Sequence, residues 1–151
     1  MDLPRSAGVY ALLLRVSAPL HLSIRGLQYR LEPGYYVYVG SARGPGGLRA
    51  RVERHLRRAK RLRWHIDQIT GGADAVMVFY AETRESECVL VPPLEADGFE
   101  HPIPGFGASD CRRKCRSHLL KCSGDLEACT ARILSAFERA GLKPKTVKIT
   151  A

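Results

Sequence analysis

The stretch PGYYVYVGSA at residues 33–42 carries the pattern that decides the fold. A Pro-Gly turn signal is followed by residues 35–40, nearly all of which have high β propensity. Because side chains alternate along a strand, Tyr36 and Tyr38 lie on one face and Tyr35 lies on the other. The stretch therefore predicts a strand that presents two phenol side chains on the same side of a sheet.

Further segments predict the rest of a sheet. Residues 8–16, GVYALLLRV, are apolar on both faces, which is typical of a central strand covered on each side. Residues 21–24 and 27–31 flank Arg25-Gly26 and predict a β-hairpin. The remaining strand-like segments are residues 75–81 and 146–150.

Helical patterns surround these strands. After the break GPGG at residues 44–47, residues 48–61 predict a helix with an apolar stripe and a separate basic stripe. Pro92-Pro93 ends or kinks the helix that residues 84–91 can begin. The other predicted helices are a short one at residues 62–70 and an amphipathic one at residues 125–140.

Length and composition predict one globular domain. The chain has 151 residues, of which 45% are hydrophobic and 26% are charged. We expect an α/β (α+β) fold with a small, mainly antiparallel central sheet flanked by helices, its core at about residues 8–95 and a C-terminal extension at 96–151 packed on it. No apolar run reaches the ~18 residues of a membrane span and no signal peptide is present, so we predict a cytoplasmic protein without membrane contact.

The positive charge of the chain is concentrated in one window. Twenty-four Lys and Arg against 15 Asp and Glu give a net charge of +9. Residues 43–63 contain nine basic residues and one acid, so nine minus one leaves +8 there and +1 in the other 130 residues. Such a field predicts a polyanionic partner, nucleic acid first and an anionic membrane surface second, with a solvated basic helix as the alternative. The expected nucleic-acid contacts are Arg43, Arg49, Arg54, Arg58, Arg61, Trp64 and His65, the last two able to stack on a base or ribose.

The cysteines leave several states open. They are Cys88, Cys111, Cys115, Cys122 and Cys129. An odd count without a secretion signal does not predict a disulfide framework, although the absence of Asn hints at a thermophilic source, where intracellular disulfides occur. Cys111, Cys115, His118 and Cys122 offer four zinc ligands, but their spacing is not that of a zinc ribbon. We do not expect structural zinc, and free thiols or a disulfide are the alternatives.

Two tripeptides about thirty residues apart carry a family resemblance, Gly8-Val9-Tyr10 and Tyr38-Val39-Gly40. Together with a following helix that reads LRARVERH at residues 48–55, they closely resemble the GIY-YIG nuclease superfamily. More of the chain, to about residue 120, resembles a branch found as stand-alone archaeal and bacterial proteins or fused to DNA-repair glycosylases. The segments that carry this resemblance are residues 33–42, Arg54-His55-Leu56, Trp64-His65-Ile66-Asp67, Glu87-Cys88, residues 105–111 and Ser117-His118-Leu119.

The resemblance implies a metal-dependent endonuclease that acts on DNA in repair or recombination. Tyr38 would act as the base or as a phenol that orients water, with Tyr10 as its partner across the sheet. Arg51 would hold the scissile phosphate, and His55 would assist. Phosphodiester hydrolysis needs such groups, since it requires a base for water, positive charge where the phosphorane forms and help for the leaving oxygen. We expect the nearby Arg charges and a metal ion to favour the phenolate of Tyr38.

The same resemblance places one divalent metal ion, Mg²⁺ or Mn²⁺, on a glutamate that follows the strand at residues 75–81. The candidates are Glu85, Glu87 and Glu95, of which Glu87 fits the branch best. The position more usual in the superfamily falls near Pro92-Pro93, where the sequence has no carboxylate. A glutamate that faced away from the tyrosines would leave the alternative, a non-catalytic nucleic-acid-binding module on the same scaffold.

Plainer interpretations exist for several of these residues. Tyr10, Tyr36 and Tyr38 can be strand aromatics that fill a core. His55 can be a structural histidine, and Arg51 can be a phosphate contact without a catalytic role. The sequence therefore predicts a nucleic-acid surface in either case, and catalysis depends on which side chains come together.

Overall fold

The computed structural model describes residues 2–57, 65–107 and 115–149. Its strands are β1 (Gly8–Val16), β2 (Leu20–Ile24), β3 (Leu27–Leu31), β4 (Gly34–Ala42), β5 (Asp74–Glu82), β6 (Leu119–Cys122) and β7 (Lys145–Lys148). Its helices are α1 (Gly47–Leu56), α2 (Asp67–Thr70), α3 (Val91–Ala96) and α4 (Leu126–Arg139), and a 3₁₀ helix spans Glu87–Leu90. None of the helices in these ranges combines the length and the hydrophobicity that crossing a membrane requires.

The architecture is α+β, with a five-stranded sheet in the order β6-β4-β1-β5-β7 and a separate hairpin of β2 and β3. Every strand pair runs antiparallel. Both edge strands, β6 and β7, come from the C-terminal part of the chain. The expected mainly antiparallel central sheet flanked by helices is confirmed.

Strand β1 lies at the centre of the sheet because its side chains are apolar on both faces. Eight of its nine residues are buried, Arg15 being the exception. Leu12 packs on the face covered by α1, α2 and the hairpin, whereas Leu13 packs on the face covered by α3 and α4. The sheet is therefore the middle of three layers, as expected for a strand without a polar face.

Several predicted elements are confirmed at nearly the predicted bounds. The hairpin turns at Arg25 and Gly26, whose φ angles of 52° and 79° are those of a type I′ turn. The strand predicted at residues 75–81 is β5, and the helix predicted at residues 125–140 is α4. Helix α4 begins after Asp125, whose carboxylate accepts a hydrogen bond from the Ala128 backbone N–H at 2.8 Å. Local signals therefore suffice for these elements.

Helix α1 ends earlier than its sequence pattern predicts. Arg57 has φ −74° and ψ 127°, which is extended backbone, so the helix predicted at residues 48–61 stops at Leu56. The expectation of one basic stripe on a single helix through residue 61 is therefore wrong. Residues 58–64 lie outside the described part of the chain, and with them the predicted contacts Arg58, Arg61 and Trp64.

Three other elements differ from the sequence predictions. Of the helix predicted at residues 62–70, the described part contains only α2. Pro92 and Pro93 lie in the first turn of α3 instead of ending a helix, because the first N–H groups of a helix need no acceptor within it. Strand β6 has no counterpart in the sequence prediction.

Helix α1 packs closely against the sheet at Gly8. A Cβ at this position would lie 2.7 Å from Leu48 Cδ1 and closer still to the Ala81 carbonyl oxygen. Such approaches are sterically forbidden, so only glycine lets α1 lie this near to β1. The glycine of the first tripeptide thus sets the position of the helix that carries Arg51 and His55.

Candidate functional site

Tyr10 and Tyr38 lie on the same face of neighbouring strands. Tyr10 of β1 is paired with Gly40 of β4, and Tyr38 is paired with Leu12. The two tyrosines are therefore diagonal neighbours across the strand pair. Both are buried in the cluster that also contains Leu48 of α1. The strand register thus brings together the tyrosines of the two tripeptides beneath one helix.

Gly40 is required by the side chain of Tyr10. A Cβ at position 40 would lie 2.5 Å from Tyr10 Cζ and would also meet the hydroxyl oxygen. The ring of Tyr10 therefore lies across the backbone of β4 at Gly40. The glycine of the second tripeptide and the tyrosine of the first belong to one packing arrangement, which gives a physical reason for their joint occurrence.

Gly40→Ala is expected to lower the free energy of unfolding by about 1–3 kcal/mol, the usual cost of overpacking a core. The added methyl group would displace the ring of Tyr10. Urea unfolding followed by circular dichroism measures the change. Gly44→Ala is the matched control, because a Cβ there meets nothing within 4 Å, and its effect should stay below about 0.5 kcal/mol. Equal stability of the two variants would contradict this packing.

Arg51 and His55 of α1 converge on the hydroxyl group of Tyr10. Tyr10 Oη lies 2.7 Å from His55 Nε2, and both residues are buried. Arg51, one turn before His55, also hydrogen-bonds to Tyr10. Since a guanidinium only donates, the phenol oxygen accepts from Arg51, and the same hydroxyl shares a second hydrogen bond with His55 Nε2. The two residues therefore fix the orientation of Tyr10.

Burial dominates the acidity of both tyrosines. It raises the pKa of Tyr10 well above its ordinary value, with Tyr38 adding to the effect and Arg51 opposing it. Burial also raises the pKa of Tyr38; the charge of Glu87 acts in the same direction, and Arg51 opposes it. The charge of Arg51 thus favours the phenolate of Tyr38, as expected, but burial outweighs it. Both tyrosines are neutral phenols at neutral pH.

Glu87 begins the 3₁₀ helix that follows β5 and is hydrogen-bonded to Ser41 near the end of β4. Its carboxylate accepts a hydrogen bond from Ser41 Oγ, and its backbone N–H donates to the same hydroxyl oxygen at 3.2 Å. The charge of Glu87 acts on both Tyr10 and Tyr38. The structure thus places Glu87 at the same end of β4 as the tyrosines and Arg51.

The other two acidic candidates have different surroundings. The Glu95 carboxylate lies 2.7 Å from His101 Nε2. Glu85 is exposed, and its backbone carbonyl accepts a hydrogen bond from Arg43 at 2.8 Å. Glu87 is thus the candidate whose charge acts on the tyrosines. Mg²⁺ is commonly bound through one or two carboxylates, with water and phosphate oxygens in the other positions, so Glu87 fits such an ion.

Two residues beside Glu87 have no catalytic role in the sequence interpretation, Ser41 and His118; His118 was considered there only as a zinc ligand. His118 is buried; its Nδ1 lies 3.7 Å from Glu87 Oε1, and its Nε2 lies 3.6 Å from Cys88 Sγ. Burial lowers the pKa of His118, and Glu87 partly offsets this effect. Two features of the sequence point to these residues as part of the site. Ser41 directly follows Tyr-Val-Gly, and His118 lies in a segment of family resemblance.

A row of rings connects Tyr38 to His65. Tyr38 lies edge-on to His55 and to Phe106, with centroid separations of 5.8 and 6.3 Å. Phe106 lies 5.6 Å from the ring of His65. Burial lowers the pKa of His65, and the charge of Arg25 adds to the effect. His65 therefore packs on Phe106, and its role as a nucleic-acid contact stays a prediction.

Arg54, a predicted nucleic-acid contact, forms a bidentate ion pair with Asp67. Its Nη1 and Nη2 lie 2.8 and 3.0 Å from the two carboxylate oxygens, and the Asp67 side chain is 0% exposed. The pair ties α1 to α2. The sequence interpretation gave Arg54 no such structural partner, and its contact with nucleic acid stays a prediction.

Asp67→Ala is expected to lower the free energy of unfolding by about 3 kcal/mol, because it leaves the largely buried guanidinium of Arg54 without its carboxylate. Glu32→Ala is the control; its ion pair with Arg30 is more than half exposed, at 56% and 55%, and should contribute less than about 1 kcal/mol. Urea unfolding of the two variants measures the difference. A loss for Asp67→Ala no greater than that of the control would contradict a buried structural pair.

The remaining predicted cations of the described residues lie around α1. Arg43 and Arg49 donate to backbone carbonyl groups at 2.8 and 2.9 Å. Arg51 donates to the Ser41 carbonyl at 3.3 Å. Arg51 and Arg54 also line a hollow of about 170 Å³ beside the turn at residues 44–47. Positive charge is thus gathered next to the end of β4, whatever partner it binds.

Four of the five cysteines form two disulfides, Cys88–Cys115 and Cys122–Cys129. The free-thiol interpretation is therefore wrong for these four. The four-ligand zinc spacing is not assembled in this state, because Cys115 and Cys122 belong to different disulfides. Cys111 lies outside the described residues.

Comparison with known proteins identifies a family whose description names no activity. A family model described as "Domain of unknown function DUF123" matches residues 9–141. No curated protein matches the chain. No solved structure matches it either.

Proposed function

We propose that this chain, which belongs to the DUF123 family, is a metal-dependent endonuclease that hydrolyses phosphodiester bonds in DNA. One observation carries the proposal: Tyr10, Tyr38, Arg51 and Glu87 lie together at one end of the paired strands β1 and β4. These are the groups that the resemblance to GIY-YIG nucleases implies. We further propose a cytoplasmic location and a role in repair or recombination.

Arg51 would hold the scissile phosphate. It lines the hollow beside the turn at residues 44–47, and its planar guanidinium matches two phosphate oxygens at once. The first N–H groups of α1 are not available for this task, since those of Leu48 and Arg49 donate to backbone carbonyls at 3.0 and 2.9 Å. The side chain of Arg51 would therefore supply the charge that stabilises the transition state.

Tyr38 would orient the attacking water and take its proton. As a neutral phenol it can hold a water molecule by a hydrogen bond, but it becomes a base only as the phenolate. Because the charge of Glu87 contributes to the raised pKa of Tyr38, neutralisation of that carboxylate favours the phenolate. When bound at Glu87, Mg²⁺ or Mn²⁺ would supply positive charge for the phosphorane and the leaving oxygen.

Tyr10 and His55 would act as positioning residues. The pKa of Tyr10 is raised well above its ordinary value by burial, so its hydroxyl keeps its proton. That hydroxyl accepts from Arg51 and is hydrogen-bonded to His55 Nε2, which holds the guanidinium at the end of the strands. His55 thus assists by fixing Tyr10, and Tyr10 by fixing Arg51.

A second candidate function is nucleic-acid binding without cleavage. It is favoured by the raised pKa values of both tyrosines, which keep them protonated, and by the hydrogen bond that Ser41 already donates to Glu87. The same basic surface would then dock on the phosphate backbone. Assays that score binding and cleavage separately distinguish the two functions.

The proposal is tested with single-stranded, nicked, branched and duplex DNA incubated with the purified chain in Mg²⁺ or Mn²⁺. We expect cleavage of at least one substrate, and chelation of the metal should stop it. Binding of DNA without cleavage of any substrate would support the binding module instead. Absence of both activities would contradict both functions.

The affinity for duplex DNA is expected to fall steeply with salt, because phosphate contacts release counterions. In Arg51→Ala the slope of log K against log salt should become shallower by about 0.9, the value for one phosphate contact. Fluorescence anisotropy between about 50 and 200 mM salt measures this slope. Arg139→Ala is the matched control, since Arg139 ends α4 on the opposite face of the sheet. Binding that does not respond to salt, or equal slopes for both variants, would refute the proposed surface.

A further inference from the structure

His118 lies between the proposed nuclease site and the Cys88–Cys115 disulfide. Its Nδ1 faces Glu87, and its Nε2 lies 3.6 Å from Cys88 Sγ. The ligand atoms of Cys88, Cys115 and His118 all lie within 4.8 Å of one another. Two sulfurs and one imidazole nitrogen are thus gathered at one point, on the 3₁₀ helix and on the segment that leads into β6.

These three side chains form a Cys₂His ligand set once the disulfide is reduced. Two thiolates and one imidazole with an open fourth position are a recognised zinc arrangement, with Zn–S distances of about 2.3 Å and Zn–N distances of about 2.0 Å. A tetrahedral ion with such bonds holds its ligand atoms about 3.5–4 Å apart. Opening of the S–S bond and small side-chain rotations therefore suffice to bring all three onto one ion.

We propose that the reduced protein binds one Zn²⁺ ion through Cys88, Cys115 and His118. A dithiol reductant converts the disulfide into two thiols and is itself oxidised to a disulfide. The two thiols then bind Zn²⁺ as thiolates and release two protons, so that atoms and charge balance. The site is distinct from Glu87, because thiolates select a soft ion such as Zn²⁺ and a lone carboxylate suits Mg²⁺.

The contact between His118 and Glu87 supports this assignment. Imidazoles that bind a metal usually direct their other ring nitrogen to a carboxylate or carbonyl, which fixes the tautomer and the ring. Here His118 Nδ1 lies 3.7 Å from Glu87 Oε1, and Nε2 faces the sulfurs. The ring therefore already has the orientation that a ligand at this position needs.

A cleft gives the site access to solvent. Cys88 and Cys115 line a cleft of about 980 Å³ together with Glu95, His101 and other residues. A reductant and a metal ion can therefore reach the sulfurs, and the open fourth position can be filled from the cleft. His101 is held by Glu95 at 2.7 Å, so the proposal does not use it as a ligand.

The second disulfide provides the control. Cys122 and Cys129 connect the end of β6 to α4 and are buried. Within the described ranges, the group that could hold a metal contains neither of them. Reduction of either disulfide yields two thiols, but of these two pairs only Cys88 and Cys115 have a histidine as third ligand.

Metal binding by the full chain, reduced with a phosphine that is then removed under argon, tests the proposal. Titration with Zn²⁺ should give one ion per chain, whereas Cys88→Ser and His118→Ala should each bind at least about tenfold more weakly, each having lost one of three ligands. The double variant Cys122→Ser/Cys129→Ser should still bind one ion. The readout is metal content, so it is independent of DNA cleavage.

Co²⁺ substitution in the reduced wild-type chain decides the case if a variant fails to fold. Thiolate-to-cobalt charge-transfer absorption is expected to appear on reduction, since the cysteines of the described ranges offer thiolates only once their disulfides are opened. Absence of this absorption, or of zinc binding by the reduced wild-type chain, would overturn the proposal. Full binding by a folded His118→Ala or Cys88→Ser variant would overturn it as well.

Discussion

Glu87→Gln is expected to lower the single-turnover rate of DNA cleavage by a factor of about 10³ or more and to leave DNA affinity within about twofold. The substitution keeps the size of the side chain and a hydrogen-bond acceptor for Ser41, but it removes the charge that would hold the metal. A metal ion contributes several kcal/mol of transition-state stabilisation, and each ~1.4 kcal/mol is a factor of about ten. Rates with labelled DNA in excess enzyme measure the effect.

Glu85→Gln is the matched control for this prediction. Glu85 is the nearest acid in sequence, is exposed and was one of the three candidates for the metal ligand. Its replacement should change the cleavage rate by less than about twofold, as expected for a surface substitution away from the site. Cleavage by Glu87→Gln at the wild-type rate would show that another group holds the metal, and the proposed mechanism would then be wrong.

Tyr38→Phe is expected to lower the cleavage rate by about 10²–10³, the usual range for loss of a general base. The pH profile gives a sharper test. Because burial and Glu87 raise the pKa of Tyr38 above its ordinary value, the phenolate is the minor form at every pH between about 6 and 9. Its fraction then rises about tenfold per pH unit, so the log of the wild-type rate should rise with a slope near one. The slope should vanish in Tyr38→Phe.

Tyr35→Phe is the control for the loss of a phenol from the same strand. Tyr35 lies three residues before Tyr38 and packs on the opposite face of the sheet, against the cluster of α3 and α4. Its variant should keep both the rate and the pH slope. A Tyr38→Phe protein that keeps the wild-type slope would assign the titration to another group, and one that keeps the wild-type rate would remove Tyr38 from the mechanism.

Much of the sheet could be predicted from local sequence, because its central strands carry strong local patterns. Strand β1 is apolar on both faces, and β4 is rich in β formers after a turn signal. Strand β6 was not predicted, because its four residues, LLKC, are too short to show a pattern. Its partner in β4 also lies more than eighty residues away in the sequence. The position where α1 ends was not predicted, because the sequence after Leu56 contains good helix formers and no residue that stops a helix.

The residues of the candidate site could be predicted from the sequence, whereas some of their contacts and the net pKa shifts could not. The resemblance supplied five residues that interact with one another in the structure: Tyr10, Tyr38, Arg51, His55 and Glu87. The contact of Ser41 with Glu87 joins residues 46 positions apart, which no periodicity reveals. The effect of Arg51 on the tyrosine pKa values has the predicted direction, but the net pKa shift is upward. Charge can be counted in a sequence, whereas burial, the larger effect, depends on how α1 covers the sheet.

The cysteines show the same limit at a smaller scale. Five cysteines allow many pairings, and their spacing left free thiols, a disulfide and a less expected zinc site open, without identifying the two pairs that form. Cys88 pairs with Cys115 because the 3₁₀ helix and the segment before β6 meet in space. That meeting also brings His118 to the sulfurs, which is the basis of the proposed zinc site.

One measurement tests the hydrolytic site most directly: the single-turnover cleavage rate of the wild-type chain, Tyr38→Phe, Glu87→Gln and the double variant, in Mg²⁺ on the preferred DNA substrate. When residues act as a unit in catalysis, the effects of their substitutions on the rate are strongly non-additive. We therefore expect metal-dependent cleavage by the wild-type chain and a large loss of rate in each single variant. The rate of the double variant should lie within about tenfold of the rate of the slower single variant. Undiminished cleavage by the double variant, or no cleavage of any DNA by the wild-type chain, would contradict the proposed nuclease.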